Sequence, residues 1–276
     1  MEANTFILTD LIADKLHCEI WKPSGRPKFA MILVHGLGEH CNRYKGDFSE
    51  FFTSHGAVIY TFDLPGHGKS GGKRGHIRQY EDLNTIISGL LTRIKKDYPS
   101  LPVFIYGHSL GGLISSVFLL EKQPTIQGAI LSAPALDVEN PLPPLKIALA
   151  KMMNKVFPAI TLDNGLERDK LSKDKDVVDR YNSDPLVHGL ASARLGAFII
   201  DKGKYVLDNA QLLSKPALIM VGADEAIVSK SAIDSFCESS KLCTKKIWEG
   251  MYHEIHNEKD KQAVFQYTLD WMKKTA

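Results

Sequence analysis

Cysteine is scarce in this sequence. There are four in 276 residues, Cys18, Cys41, Cys237 and Cys243, with no C-x-x-C pair among them. That excludes a zinc ribbon or a disulfide-stapled scaffold, and the four read as free thiols. Long apolar runs are also missing: none approaches the roughly 20 residues that span a bilayer. The N-terminus, MEANTFILTDLIAD, carries early acids and no basic-then-apolar leader, so a cytosolic protein is the default expectation. An excess of either charge is absent too. Thirty-four Lys and Arg against 32 Asp and Glu give a formal net charge of +2. The basic residues are dispersed, and stretches such as KKDYP and KDKD read as solvated helix ends or loops, which argues against a nucleic-acid partner. Neither an internal repeat nor a low-complexity segment is evident.

What is present is ordinary for a globular chain: 44% hydrophobic and 24% charged residues, enough for one large domain or a core with an insertion. Short apolar runs recur, each ending in turn residues: FAMILVHG, AVIYTFDLPG, VFIYGHS, GAILSAP, PALIMVGAD and the weaker KKIWEG. They are too short for helices and too uniformly apolar for strands with one wet face, which is how strands buried on both sides of a parallel sheet read. Helix-like segments alternate with them, giving an α/β fold with right-handed crossovers. TFILTD and KLHCEIW read as an antiparallel hairpin at the sheet edge.

One connection is too long for a simple crossover. From about residue 137 to about 216 no strand is convincing, while PPLKIALAKMMNKVFPAI sets Leu145, Ala148, Leu149, Met152, Met153 and Val156 on one apolar helical face. Residues 138–205 are therefore expected to form a helical cap over the sheet's C-terminal edge, where open α/β sheets bind ligands. Residues 1–137 and 206–276 would be the two parts of the core.

The stretch VFIYGHSLGGLISS places Ser109 between Gly107 and Gly111, where a strand becomes a helix. That is the context of a nucleophile elbow, in which glycines admit a tight turn and the serine hydroxyl projects from the sheet edge. A serine needs a base, and in this arrangement the order is Ser, then an acid, then His. Asp224 follows the strand of LIMVGADE, and His253 lies in the loop after the last strand. His253 would accept the serine proton and Asp224 would orient the imidazole. An oxyanion hole would use the backbone N–H of Leu110, next to the nucleophile, and of Leu37 in LVHGLGEH. His256 lacks the further ligands a metal would need, Asp63 precedes the serine and suits a turn, and His35, His67 and His108 read as structural.

With these residues in hand, the chain resembles the monoacylglycerol lipase branch of the α/β-hydrolase superfamily over nearly its whole length. The resemblance rests on HGLGEHCNRY, FDLPGHGKSGG, DYPSLPVFIYGHSLGG, YNSDPL, GADE and WEGMYHEIHNE. It implies a mostly parallel eight-stranded sheet with helices on both faces and an inserted helical cap. It also implies the same triad and oxyanion donors, and a polar patch that holds glycerol hydroxyls at Glu39, Arg43, His256 and Tyr181. No metal or organic cofactor is implied.

The expected activity is hydrolysis of a monoacylglycerol or related lipid ester through an acyl-enzyme. A lysophospholipase or a general carboxylesterase would share the triad, and a non-catalytic receptor would share only the fold. The Met-containing cap face fits an acyl tunnel mouth or reversible membrane contact. Cys41, near the oxyanion loop, is a candidate for sensitivity to thiol reagents.

Overall fold

The computed structural model describes residues 2–140 and 143–276; Met1 of the expected core and positions 141–142 of the expected cap lie outside the described residues. A hairpin opens the chain, β1 (Glu2–Leu8) and β2 (Leu16–Lys22). Then come β3 (Phe29–Val34), α1 (Asp47–Ser54), β4 (Ala57–Phe62), α2 (Glu81–Asp97), β5 (Val103–His108), α3 (Leu110–Lys122) and β6 (Gly128–Ser132). An insertion follows: α4 (Pro144–Val156), β7 (Thr161–Asp163), α5 (Lys175–Ser183), β8 (Leu190–Ser192) and α6 (Ala193–Asp208). The chain closes with β9 (Ala217–Gly222), α7 (Lys230–Ser239), β10 (Cys243–Trp248) and α8 (Lys261–Thr275).

Eight strands form one sheet in the order β1-β2-β4-β3-β5-β6-β9-β10. The pairs β1–β2 and β2–β4 are antiparallel, and the rest are parallel. The uniformly apolar runs are explained by β3. Ala30, Ile32 and Val34 enter the core shared with α2 and α3, while Phe29, Met31 and Leu33 face the one shared with α1 and α8. Both faces are covered, so no alternation survives in the sequence. The weaker run, β10, is an edge strand, and its exposed Lys245 fits an edge that must not pair further. Helix α2 buries Leu83, Ile86, Ile87, Leu90 and Ile94 on one stripe and stops ahead of Pro99.

The insertion differs from expectation in two ways. It contains a two-stranded antiparallel sheet, β7 with β8, each strand three residues long. Strands that short carry no readable period. The boundary expected at 205 falls inside α6, which runs on to Asp208 and buries Leu195, Phe198 and Val206 in the main core. Helix α4 is the reverse case and buries none of its residues.

The cysteine reading needs correction. Cys237 and Cys243 are joined as a disulfide, because the reversal between α7 and β10 brings their Cα atoms to 5.1 Å. A missing C-x-x-C spacing says nothing about a pair six residues apart. Cys18 and Cys41 are free and buried. Among the described residues no helix is long and apolar enough to cross a membrane.

Candidate active site

Ser109 sits between β5 and α3 with φ of 53°, a strained left-handed backbone that a non-glycine residue adopts only when its surroundings enforce it. Its N–H donates to Ser132 O at 2.9 Å and its carbonyl accepts from Leu113 N at 3.0 Å. The flanking glycines are obligatory on steric grounds. A Cβ at Gly107 would strike Gly111 O and Ser115 Oγ, and one at Gly111 would strike the carbonyl oxygens of Val34 and His35. Strand, turn and helix can therefore approach closely enough to lift Ser109 to the rim of the sheet.

His253 is buried in the loop after β10, and its Nδ1 lies 2.8 Å from Glu225 Oε2. Here the expected acid is displaced by one residue. Asp224 is exposed and pairs with Lys173, whereas Glu225 is buried and its Oε1 accepts from Ile227 N at 2.7 Å and Val228 N at 3.2 Å. The turn after β9 explains the swap. Asp224 N is tied to Met251 O, which fixes the peptide, sends the Asp224 side chain to solvent and turns the next one inward. The adjacent acids of GADE are the signal that sequence reading could have weighed.

The electrostatics suit a base. Burial disfavours the charged imidazolium, but the Glu225 carboxylate, helped by Glu254 and Glu39, outweighs it and raises the His253 pKa above its ordinary value. Burial disfavours the Glu225 anion as well; His253 and the two backbone donors prevail and hold its pKa below the usual range. With Nδ1 engaged by Glu225, Nε2 is the nitrogen left for proton transfer.

Ser109 and His253 line one cavity of about 430 Å³, together with Leu37 and Leu110. Leu110 is the first residue of α3, so its N–H belongs to the first-turn donors that have no partner within the helix. Leu37 is in the loop after β3, which is pinned at Gly36 N by Glu39 Oε1 at 2.6 Å and at Gly38 O by His188 N of the insertion at 2.9 Å. The insertion also holds the histidine loop, through Glu254 N to Leu171 O at 2.7 Å. Much of the remaining wall is apolar: Ala135, Val138, Leu166, Ile199, Ile227 and Val228.

The expected polar patch is divided. Glu39 and Tyr181 line the cavity, and so does Glu254, which sequence reading did not single out. Arg43 lies behind them and bridges the two glutamates. Burial raises the pKa of the Glu39 carboxyl, but Arg43 outweighs it and holds that pKa far below the usual range. His256 is also behind the wall, stacked on Tyr44 at 4.7 Å and edge-on to His108 at 4.7 Å. Burial lowers its pKa to about 4, so the ring is neutral at physiological pH. His256 is therefore a neutral, buried ring that does not line the cavity with Glu39 and Tyr181.

The other residues weighed on sequence make local hydrogen bonds, and His108 also lines the cavity. Asp63 caps a turn, accepting from Cys41 N and Lys69 N at 2.8 Å each. His35 accepts from Leu64 N at 2.9 Å, His67 Nδ1 lies 3.0 Å from Pro65 O, and His108 Nδ1 lies 3.2 Å from Ser132 O. Cys41 is fully buried, and burial together with Asp63 pushes its thiol pKa well up, which removes the thiolate that a reagent would attack. Among the described residues, one group could offer three donors to a metal: His17, Glu19 and Cys41, with ligand atoms within 4.8 Å of one another. It lies outside the cavity, and Glu19 Oε2 is already engaged by Trp21 Nε1 at 2.8 Å and Lys45 Nζ at 3.2 Å.

Residues 25–260 match the protein family described as serine aminopeptidase, S33. The monoglyceride lipase of Rattus norvegicus is 34% identical over 88% of this chain and 81% of its own length. An uncharacterized abhydrolase domain-containing protein of Dictyostelium discoideum is 32% identical over 95% of this chain, which spans only 28% of that longer protein. The crystal structure of Paleococcus ferrophilus monoacylglycerol lipase superposes with a TM-score of 0.86 at 33% identity, over 95% of this chain and 99% of that one.

Proposed function

Because the chain belongs to the monoacylglycerol lipase-like family of α/β-hydrolases, a family of carboxylic ester hydrolases, we propose that it cleaves monoacylglycerol to fatty acid and glycerol. Ser109 is the nucleophile, His253 the base and Glu225 the carboxylate that orients it. The observation that carries this reading is the shared cavity: an elbow serine and a carboxylate-paired histidine line it together with a largely apolar wall and the polar residues Glu39, Tyr181 and Glu254.

Ser109 Oγ bonds to the ester carbonyl carbon as His253 Nε2 takes its proton. The carbonyl oxygen becomes an oxyanion facing the Leu37 and Leu110 N–H groups. The C–O bond to glycerol then breaks, and His253 returns the proton to the departing alkoxide. A water deprotonated by the same histidine attacks the acyl-enzyme, and fatty acid leaves with Ser109 regenerated. Glu225 stays ionised throughout and stabilises the imidazolium.

A membrane role is proposed on a separate observation. Along α4, Leu145, Leu149, Met152 and Val156 recur at i, i+4, i+7 and i+11 and are all exposed. Lysines 146, 151 and 155 share the helix. An apolar stripe among lysines is the pattern of a helix that lies in a bilayer interface, where the substrate resides.

The test is glycerol release from a long-chain monoacylglycerol, beside lysophosphatidylcholine and a short-chain aryl ester, with Ser109→Ala as control. Ser109-dependent preference for the monoacylglycerol is the expected result. Turnover of the aryl ester alone would discard the substrate, and activity that survives Ser109→Ala would discard the mechanism.

A further inference from the structure

Arg43 looks at first like a cation waiting for a polar substrate, but three of its five N–H groups are already donated to two carboxylates. Nη1 donates to Glu39 Oε2 at 2.5 Å and to Glu254 Oε1 at 2.6 Å, and Nη2 donates to Glu254 Oε2 at 2.7 Å. The Tyr181 ring covers one face of the guanidinium at 4.6 Å. The acidic residues, not Arg43, line the cavity. Glu39, Glu167 and Glu254 line it, and among the described residues no lysine or arginine does. Arg168, a further cation on the insertion, approaches Tyr181 at 5.7 Å and donates to Asn182 at 3.1 Å.

Two carboxylates against one enclosed guanidinium leave one negative charge in excess. Both carboxylates are oriented by further donors: Glu39 Oε1 also accepts from Gly36 N at 2.6 Å and Tyr44 Oη at 2.9 Å, and Glu254 Oε2 accepts from Asn257 Nδ2 at 2.7 Å. An ionised carboxylate only accepts, with about four lone-pair directions to fill. A hydroxyl can donate to the directions left over. A phosphate can only present more negative charge to them.

Resting on the esterase reading above, we propose that Glu254, together with Glu39, makes the alcohol end of the cavity a charge filter. It accepts esters of uncharged polyols and rejects esters whose alcohol carries phosphate. Glu254 is thus a specificity-determining residue, and Arg43 is the clamp that holds the two carboxylates side by side.

The experiment compares three soluble esters with one acyl chain, so that micelle formation does not enter: 1-hexanoylglycerol, 1-hexanoylglycerol 3-phosphate and hexanoylcholine. For the wild-type enzyme, kcat/KM for the phosphate ester should lie below that for the glycerol ester by at least about a hundredfold, the scale of a like-charge contact in a partly buried site. Hexanoylcholine should show no comparable charge penalty. Glu254→Gln should narrow the phosphate discrimination at least about tenfold, and Glu254→Asp, which keeps the charge, should preserve it. A wild-type ratio within about threefold overturns the filter and leaves the esterase reading standing. An unchanged ratio in a folded Glu254→Gln enzyme also overturns it. If that variant does not fold, the wild-type series decides alone. Failure of the folded wild-type enzyme on 1-hexanoylglycerol itself overturns the esterase reading and this proposal with it.

Discussion

At the scale of single residues, the sharpest question is which of two neighbouring acids serves His253. Glu225 Oε2 is 2.8 Å from His253 Nδ1, whereas the Asp224 side chain faces solvent beside Lys173. Glu225→Gln is expected to lower kcat by about 10³-fold or more, since the imidazole loses both its orienting partner and the charge that stabilises it. Asp224→Asn should stay within about twofold of wild type. The pH profile gives a second reading with a definite sign. His253 must be neutral to take a proton, so activity is present above its pKa and is lost as pH falls through it. Glu225 raises that pKa, so the acid limb of kcat/KM should have its midpoint above 6.5, and Glu225→Gln should move the midpoint down. A midpoint unmoved in Glu225→Gln and shifted in Asp224→Asn would return the role to Asp224. The elbow that presents Ser109 is legible in the sequence because its glycines are a steric necessity that only one local geometry satisfies, and His253 is legible only by its place in the loop after the last strand. The acid was not, because G-A-D-E is silent on which side chain the turn sends inward. Nor could sequence pair Arg43 with Glu254, 211 positions away, since no local pattern encodes that contact.

Among the elements, the strands of the parallel sheet could be read directly, because burial on both faces leaves an unbroken apolar run. Helices of the insertion were harder, since an apolar stripe looks the same whether it faces a core or nothing. α4 and α6 carry comparable stripes, yet α4 buries no residue and α6 inserts Phe198 into the main core against Tyr80 at 5.2 Å. Stability should separate them. Phe198→Ala removes a fully buried ring, 1% exposed, and is expected to cost about 3–5 kcal/mol in urea unfolding. Leu149→Ala, at a side chain 52% exposed, should stay within about 0.5 kcal/mol. Equal losses would mean that α4 is packed in solution. The contrast also bears on where the insertion ends: a helix whose removal opens the core belongs to the core, whatever its position in the chain.

For the whole molecule, the exposed stripe of α4 and the cavity beneath the insertion pose one problem together. On the proposed function, a long-chain substrate dissolved in a bilayer would have to leave it for a cavity lined by Leu37, Ile199 and Val228, and the exposed apolar stripe of α4 is the surface proposed to meet that bilayer. Burying two side chains such as Leu149 and Met152 in the interface contributes several kcal/mol, enough to change partitioning by more than tenfold. The double variant Leu149→Glu, Met152→Glu is therefore expected to bind vesicles at least about tenfold more weakly and to lose a similar factor on vesicle-borne monoacylglycerol. Its kcat/KM on a soluble short-chain ester should be unchanged, because neither residue lines the cavity or touches the triad. Co-sedimentation with vesicles measures the first effect, and the pair of substrates separates it from damage to the site. Equal losses on both substrates would mean that α4 shapes the cavity from above. Unchanged activity on vesicles would mean that substrate reaches Ser109 by a route that does not involve this helix.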